Sequence, residues 1–234
     1  MTYTNSPLVD YTQISPHRGN RNGHVIDTIT IHCAAAQAAV ETLGRLFQTK
    51  QASANYGIGA DGRVGMYVEE KDRSWCTSNN ANDARAVTIE VACDNRHPYA
   101  VKDAVYKKLI TLVADICKRN GIAKLVWSTD KYYRMNHKGG SNMTVHRDYE
   151  NKACPGQWLY DRHGQIAAEV NKILEDEEMV RWNKIEDVPE GFYRDTVRQL
   201  MQDGIIKGKG NGVIDLTEDM LRVMIFCQRI MEGK

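Results

Sequence analysis

Apolar and polar positions alternate from Val25 to Cys33, with β-branched residues throughout, and predict a half-buried strand ending at His32. Val40, Leu43, Leu46 and Phe47 recur at helical spacing and predict a helix over 38–50. Two short runs, Asn55 to Gly59 and Val64 to Val68, flank Asp61-Gly62, a hairpin signal. Ala86 to Ala92 reads as another strand, with Glu90 inside it. Val105, Leu109, Leu112, Val113 and Ile116 form the stripe of a long amphipathic helix over 102–120, which Gly121 stops. Ile122 to Ser128 reads as a strand, as does Asn142 to His146, ending at a second histidine. A helix over 161–175 follows on Ile166, Val170, Ile173 and Leu174. The mixture predicts an α/β domain with a central sheet flanked by helices, over residues 1–174.

The pattern changes after Leu174. Glu175 to Glu178 is an acidic run, and 175–187 reads as a linker. Residues 188–234 read as a small, mainly helical module. It has a helix over 192–203 stopped by Gly204, a loop with Gly208, Gly210 and Gly212, and a helix from Thr217, its N-cap, to Met231.

Composition excludes several classes. The 31 Lys and Arg nearly balance 30 Asp and Glu, for a net charge of +1, so the electrostatic footprint of a nucleic-acid binder is absent. No apolar run is long enough for a transmembrane helix, so no membrane partner is expected. Met1 to Pro7 lacks the basic and apolar regions of a secretory signal, which predicts a protein made in the cytoplasm. The six cysteines are sparse, widely spaced and without a CxxC pair. They read as reduced thiols, mostly buried, rather than a disulfide framework.

His32, His146 and Cys154 carry the candidate chemistry. Imidazole and thiolate are preferred zinc ligands, and three protein ligands leave a fourth position for water. Spacing alone leaves two alternatives open: histidines that merely end strands, and a Cys-Pro-Gly turn that is only a turn. Glu90 is a carboxylate within an apolar strand, which points to function or to a core ion pair. Trp75 and the polar stretch Thr77 to Asp83, with Asn79 and Asn80, read as a cleft loop suited to a glycopeptide; Trp75 partly buried under the loop is the alternative. His17, His24, His97, His137 and His163 have no motif around them and read as surface or structural residues.

The strand Thr30-Ile31-His32, the segment Thr144-Val145-His146-Arg147-Asp148 and the turn Lys152-Ala153-Cys154-Pro155-Gly156 together resemble the zinc-dependent N-acetylmuramoyl-L-alanine amidases of the type-2 family. That family is related to peptidoglycan recognition proteins and is common among phage endolysins. The resemblance covers roughly residues 20 to 175. It implies zinc held by His32, His146 and Cys154, with bacterial peptidoglycan as partner. It implies cleavage of the amide between the lactyl group of N-acetylmuramic acid and L-alanine. Lys152 takes the place of a lysine that stabilises the oxyanion, and Glu90 that of a glutamate that orients or deprotonates the water. The chain departs from the family at Ala54, where other members carry a catalytic tyrosine; Tyr56, two residues on, reads as a packing residue.

The tail is similar to cell-wall-anchoring modules of the surface-layer-homology type, in Val188 to Tyr193, Gln202 to Gly208 and Leu216 to Arg222. A helical hairpin that pairs two copies through the C-terminal helices is the alternative. Without a signal, an endolysin acts on the wall only after holin-mediated or lytic release. A non-catalytic peptidoglycan-binding module is the competing function, and relatives of that kind typically lack the ligand cysteine that Cys154 supplies here.

Overall fold

A computed structural model describes residues 3–178 and 180–231. The elements run in the order β1 (Tyr11–Thr12), β2 (Arg18–Asn20), β3 (Thr28–Cys33), α1 (Val40–Thr49), β4 (Tyr56–Ile58) and β5 (Val64–Met66). They continue with β6 (Asp72–Ser74), α2 (Asn80–Arg85), β7 (Ala86–Val91), α3 (Asp103–Asn120), α4 (Lys131–Met135) and β8 (Met143–Thr144). Last come α5 (Gln157–Glu178), β9 (Arg181–Trp182), α6 (Phe192–Gln202), β10 (Leu216–Thr217) and α7 (Glu218–Met231). The chain divides into two compact units after Leu174.

In the first unit the described residues form a mixed six-stranded sheet in the order β1-β5-β4-β7-β3-β8. β3 pairs in parallel with both β7 and β8, while β4 and β5 form the antiparallel hairpin that Asp61-Gly62 predicts. The strand alternation gives the sheet two unlike faces. Ile29 and Ile31 of β3, Val87, Ile89 and Val91 of β7, and Tyr56 and Ile58 of β4 enter the main core, with Val105, Leu109, Leu112 and Ile116 of α3 and Leu159, Ile166 and Val170 of α5. The other face carries Thr30 and His32 of β3 beside Thr88 and Glu90 of β7, paired in register.

α3 ends where expected, at Gly121 in the left-handed region (φ 70°). α1 supplies Leu43 and Phe47 to a smaller cluster with Ala54 and Tyr67. Gly57, opposite Glu90 in the register, is the glycine this packing requires. A Cβ there would lie 2.8 Å from both Leu43 Cδ1 and Tyr67 Cε2.

Two expectations fail in instructive ways. Ile122 to Ser128 is not a strand. Side chains take up its backbone: Leu125 N donates to Asn171 Oδ1 (2.7 Å) and Val126 N to Asn142 Oδ1 (2.8 Å). The strand before His146 stops at Thr144, and His146 opens a 3-10 turn, His146–Asp148.

The second unit packs Trp182, Val188, Val197, Leu200, Leu216 and Leu221 into its own core. The stretch 175–187 is therefore more than a linker: α5 runs to Glu178, and β9 pairs with β10 and buries Trp182. Thr217 caps α7 as expected, its hydroxyl accepting from Met220 N (3.1 Å). The outer side of α7 leaves Val223, Phe226 and Ile230 more than 60% exposed. Among the described residues no helix is long and apolar enough to cross a membrane.

Candidate active site

His32, His146 and Cys154 converge. Each offers a ligand atom within 4.8 Å of the others. Cys154 Sγ lies 3.4 Å from His32 Nδ1, and the two imidazoles meet edge to face with centroids 5.0 Å apart. His32 comes from β3, where its backbone pairs with that of Glu90 on β7. His146 and Cys154 come from turns, and Arg147 ties those turns together. Arg147 N donates to the Cys154 carbonyl (3.2 Å), and its guanidinium to the Ala153 carbonyl (2.7 Å).

The His146 turn is braced from behind by a buried ion pair. Asp148 accepts from Arg134 Nε (2.8 Å) and Nη2 (2.5 Å), and also from Val145 N (3.3 Å). The Arg134 guanidinium donates to the Ser128 carbonyl and lies 4.5 Å over the Trp127 ring.

Both imidazoles are held neutral. Burial, then the neighbouring His146, pushes the His32 pKa down to about 3. Burial and the Lys152 charge lower that of His146. Neutral imidazole is the form that ligates a metal. Nε2 of each histidine is buried without a hydrogen-bond partner. Cys154 Sγ accepts from Cys33 N at 3.4 Å. Two imidazoles and a cysteine sulfur are a donor set that suits zinc.

Glu90 sits beside His32, one strand over. Burial is the main reason its carboxyl is pushed up to about 8, and its Oε2 has no partner. Tyr56 faces the opposite way: buried, it donates to Glu70 (2.6 Å) and accepts from Ser6 N (2.9 Å). The Ala54 position is buried in the α1 cluster.

An open cleft of about 560 Å³ lies over this face, lined among others by Lys50, Trp75, Cys76, Asn80, His146 and Lys152. Trp75 is 38% exposed and packs at 5.5 Å from His17. Asn80 accepts from Arg73 (2.6 Å). Asn79 does other work: its side chain caps α2 by accepting from Asn82 N (2.9 Å).

Several residues of the site region escape sequence reasoning. Asn82 and Asp83 fall in the polar stretch read as a cleft loop, yet both are buried. Asn82 joins Thr30, Thr144 and Tyr149 under the site. Asp83 accepts from the backbone N of Cys76 and Thr77 and from the Thr77 hydroxyl, fixing Cys76 at the cleft. Only the Asn79-x-x-Asn82 cap spacing hints that the stretch folds inward. His163, read as structural or surface, is fully buried in α5 and stacks 4.5 Å from Trp127. All six cysteines are free thiols.

A family model for N-acetylmuramoyl-L-alanine amidase (Amidase_2) matches residues 22–157, and the chain belongs to this family. Among solved structures, a selenomethionine derivative of AmpD is 17% identical, with a TM-score of 0.51, covering 71% of this chain and 99% of that one. A mutant endolysin from Bacillus subtilis is 14% identical, with a TM-score of 0.49 and coverage of 69% and 99%. The N-acetylmuramoyl-L-alanine amidase LysC from Clostridium intestinale URNW is 17% identical, with a TM-score of 0.47 and coverage of 70% and 95%. A comparison with curated protein sequences finds no significant match. The central mixed sheet flanked by helices is the amidase fold.

Proposed function

We propose that this chain is a zinc-dependent peptidoglycan hydrolase that cleaves the amide between N-acetylmuramic acid and L-alanine, acting as an endolysin. The observation that carries the reading is the convergence of His32, His146 and Cys154 beneath an open polar cleft. These three residues would hold the metal. Zinc bound there would polarise the scissile carbonyl and lower the pKa of a water molecule.

The chain's own residues supply the rest. Glu90, a buried carboxyl beside His32 with an unpartnered Oε2, is the residue that would take a proton from the attacking water. Its register with His32, one of the residues that would hold the metal, supports that role. Lys152 lines the cleft with His146, where its ammonium would stabilise the oxyanion of the tetrahedral intermediate. Trp75 offers an apolar face to sugar or peptide, and Asn80 a polar rim. Asn79, committed to capping α2, would act on substrate only through the loop it holds. With Ala54 in place of a tyrosine, the proton-transfer role falls to Glu90.

The test joins two measurements on the full chain. Metal analysis should find close to one zinc per chain, lost in Cys154→Ser. Mass spectrometry of digested peptidoglycan should find free stem peptides beginning with L-alanine. Less than half an equivalent of zinc, or intact muramyl–alanine amides, would sink the reading. Wall binding without cleavage would favour the non-catalytic binding module.

For the second unit we propose attachment to the wall, so truncation after residue 178 should weaken binding to intact walls while sparing the zinc site. A dimer through α7 is the second reading, favoured by the exposed Val223, Phe226 and Ile230. Sedimentation of the full and truncated chains separates the two.

A further inference from the structure

His32 belongs to two donor clusters. Besides the set with His146 and Cys154, a second set joins His32 to Cys76 and Glu90, again with one donor atom each within 4.8 Å. The second set mixes elements in the same way as the first. His32 and Glu90 are neighbours across β3 and β7, and Cys76 comes from the loop after β6, held by Asp83. Tetrahedral zinc, with bonds of about 2.0–2.3 Å, places its donors about 3.5 Å apart, so closing this cluster takes movements on the order of 1 Å.

Two of its three side chains carry polar atoms that nothing in the fold uses. His32 is fully buried and its Nε2 has no partner; Glu90 Oε2 is buried and equally unpartnered. Cys154 Sγ lies 3.4 Å from Nδ1 of His32, while Nε2 is the ring nitrogen left unpartnered. Cys76 also lines the open cleft, which gives an ion a route from solvent.

We propose that Cys76, Glu90 and the second ring nitrogen of His32 form an additional site for a thiophilic divalent cation, and that filling it inhibits the enzyme. Sulfur, imidazole and carboxylate together select zinc or cadmium over magnesium or calcium. Binding would send the Cys76 thiol proton and the remaining His32 ring proton to solvent, leaving His32 as an imidazolate. Inhibition follows because Glu90 then donates its lone pair to the ion and no longer accepts a proton from water. The inhibition rests on the amidase reading; the binding does not.

The experiment uses the full-length chain, its Cys76→Ala and Cys76→Ser variants, and Cys154→Ala. Each is stripped of metal and titrated with zinc, and separately with cadmium, by equilibrium dialysis. The wild type should take up one ion more per chain than either Cys76 variant. The cadmium–sulfur charge-transfer absorbance of that extra equivalent should vanish in both. The ratio of activity in excess zinc to activity in stoichiometric zinc should fall well below one in the wild type and stay near one in the Cys76 variants. Uptake of equal numbers of ions by the wild type and both Cys76 variants overturns the site. A zinc-inhibition ratio unchanged by Cys76 substitution overturns its inhibitory role. If Cys154→Ala binds as many ions as the wild type, the amidase reading fails, while the Cys76-dependent equivalent still decides the second site.

Discussion

Replacing Asp148 with alanine tests how the His146 turn is held. Arg134 and Asp148 are 2% and 1% exposed in their side chains, so both charges are desolvated. Removing the carboxylate strips Arg134 of two hydrogen bonds, at 2.8 and 2.5 Å, and Val145 N of its side-chain acceptor. What remains to the cation is the Ser128 carbonyl and the rings of Trp127 and Tyr160. Breaking a buried pair from one side costs about 3–5 kcal/mol, because the surviving charge stays buried. The exposed pair Arg63–Asp61, with side chains 42% and 47% exposed, sets the contrast, since such pairs are worth about 0–1 kcal/mol.

Urea unfolding of the metal-free chain, followed by near-ultraviolet circular dichroism, should show the full cost in Asp148→Ala. The double variant Arg134→Met with Asp148→Leu should recover most of it, because no orphan charge remains. Zinc affinity supplies the second readout. His146 opens the turn that Asp148 closes, so loosening that turn should weaken metal binding on the order of tenfold. A loss below about 1 kcal/mol in the single variant, or a double variant no better than the single, would refute the reasoning.

Lys152→Ala should lower kcat about 100-fold with little change in KM, as for removal of one oxyanion donor; steady-state release of stem peptide checks it, and a pure KM effect would make Lys152 a binding residue. Gly57→Ala should destabilise by about 1–3 kcal/mol, because its Cβ would press on Leu43 and Tyr67; thermal unfolding checks this, and an unchanged midpoint would show that α1 gives way. His163, whose pKa burial lowers to about 4, binds fewer protons folded than unfolded, where the ordinary value is 6.5. Its contribution is therefore intact above 6.5 and is lost as pH falls toward 4, by up to about 3 kcal/mol. Urea midpoints of metal-free wild type and His163→Phe at neutral and acid pH should diverge, and parallel pH profiles would contradict this.

The parts of the fold legible in the sequence are those with long periods. The alternation of Thr28 to Cys33 shows a strand with a polar face, and α3 shows both its stripe and its glycine stop. Strands of two or three residues, such as β1, β2, β6 and β8, are too short to show any period. Ile122 to Ser128 has a strand's composition, but hydrogen bonds from Asn171 and Asn142, distant in sequence, occupy its backbone. In the site, the motif brings out His32, His146 and Cys154. Cys76 stays hidden because its position depends on Asp83, and a run of Asn and Asp ordinarily signals an exposed turn.

The parallel pairing of β3 and β7 has a consequence for how the site tolerates change. Backbone hydrogen bonding sets neighbouring strands about 4.8 Å apart, so the sheet acts as a ruler between the imidazole of His32 and the carboxylate of Glu90. The gap that remains is set by side-chain length alone. Glu90→Asp keeps the charge and the strand but draws the carboxylate back by one carbon, about 1.5 Å. No loop can relax to return it, since both residues stand on paired backbone. Chemistry that depends on this spacing is graduated in single methylene steps, and the scaffold offers no finer adjustment.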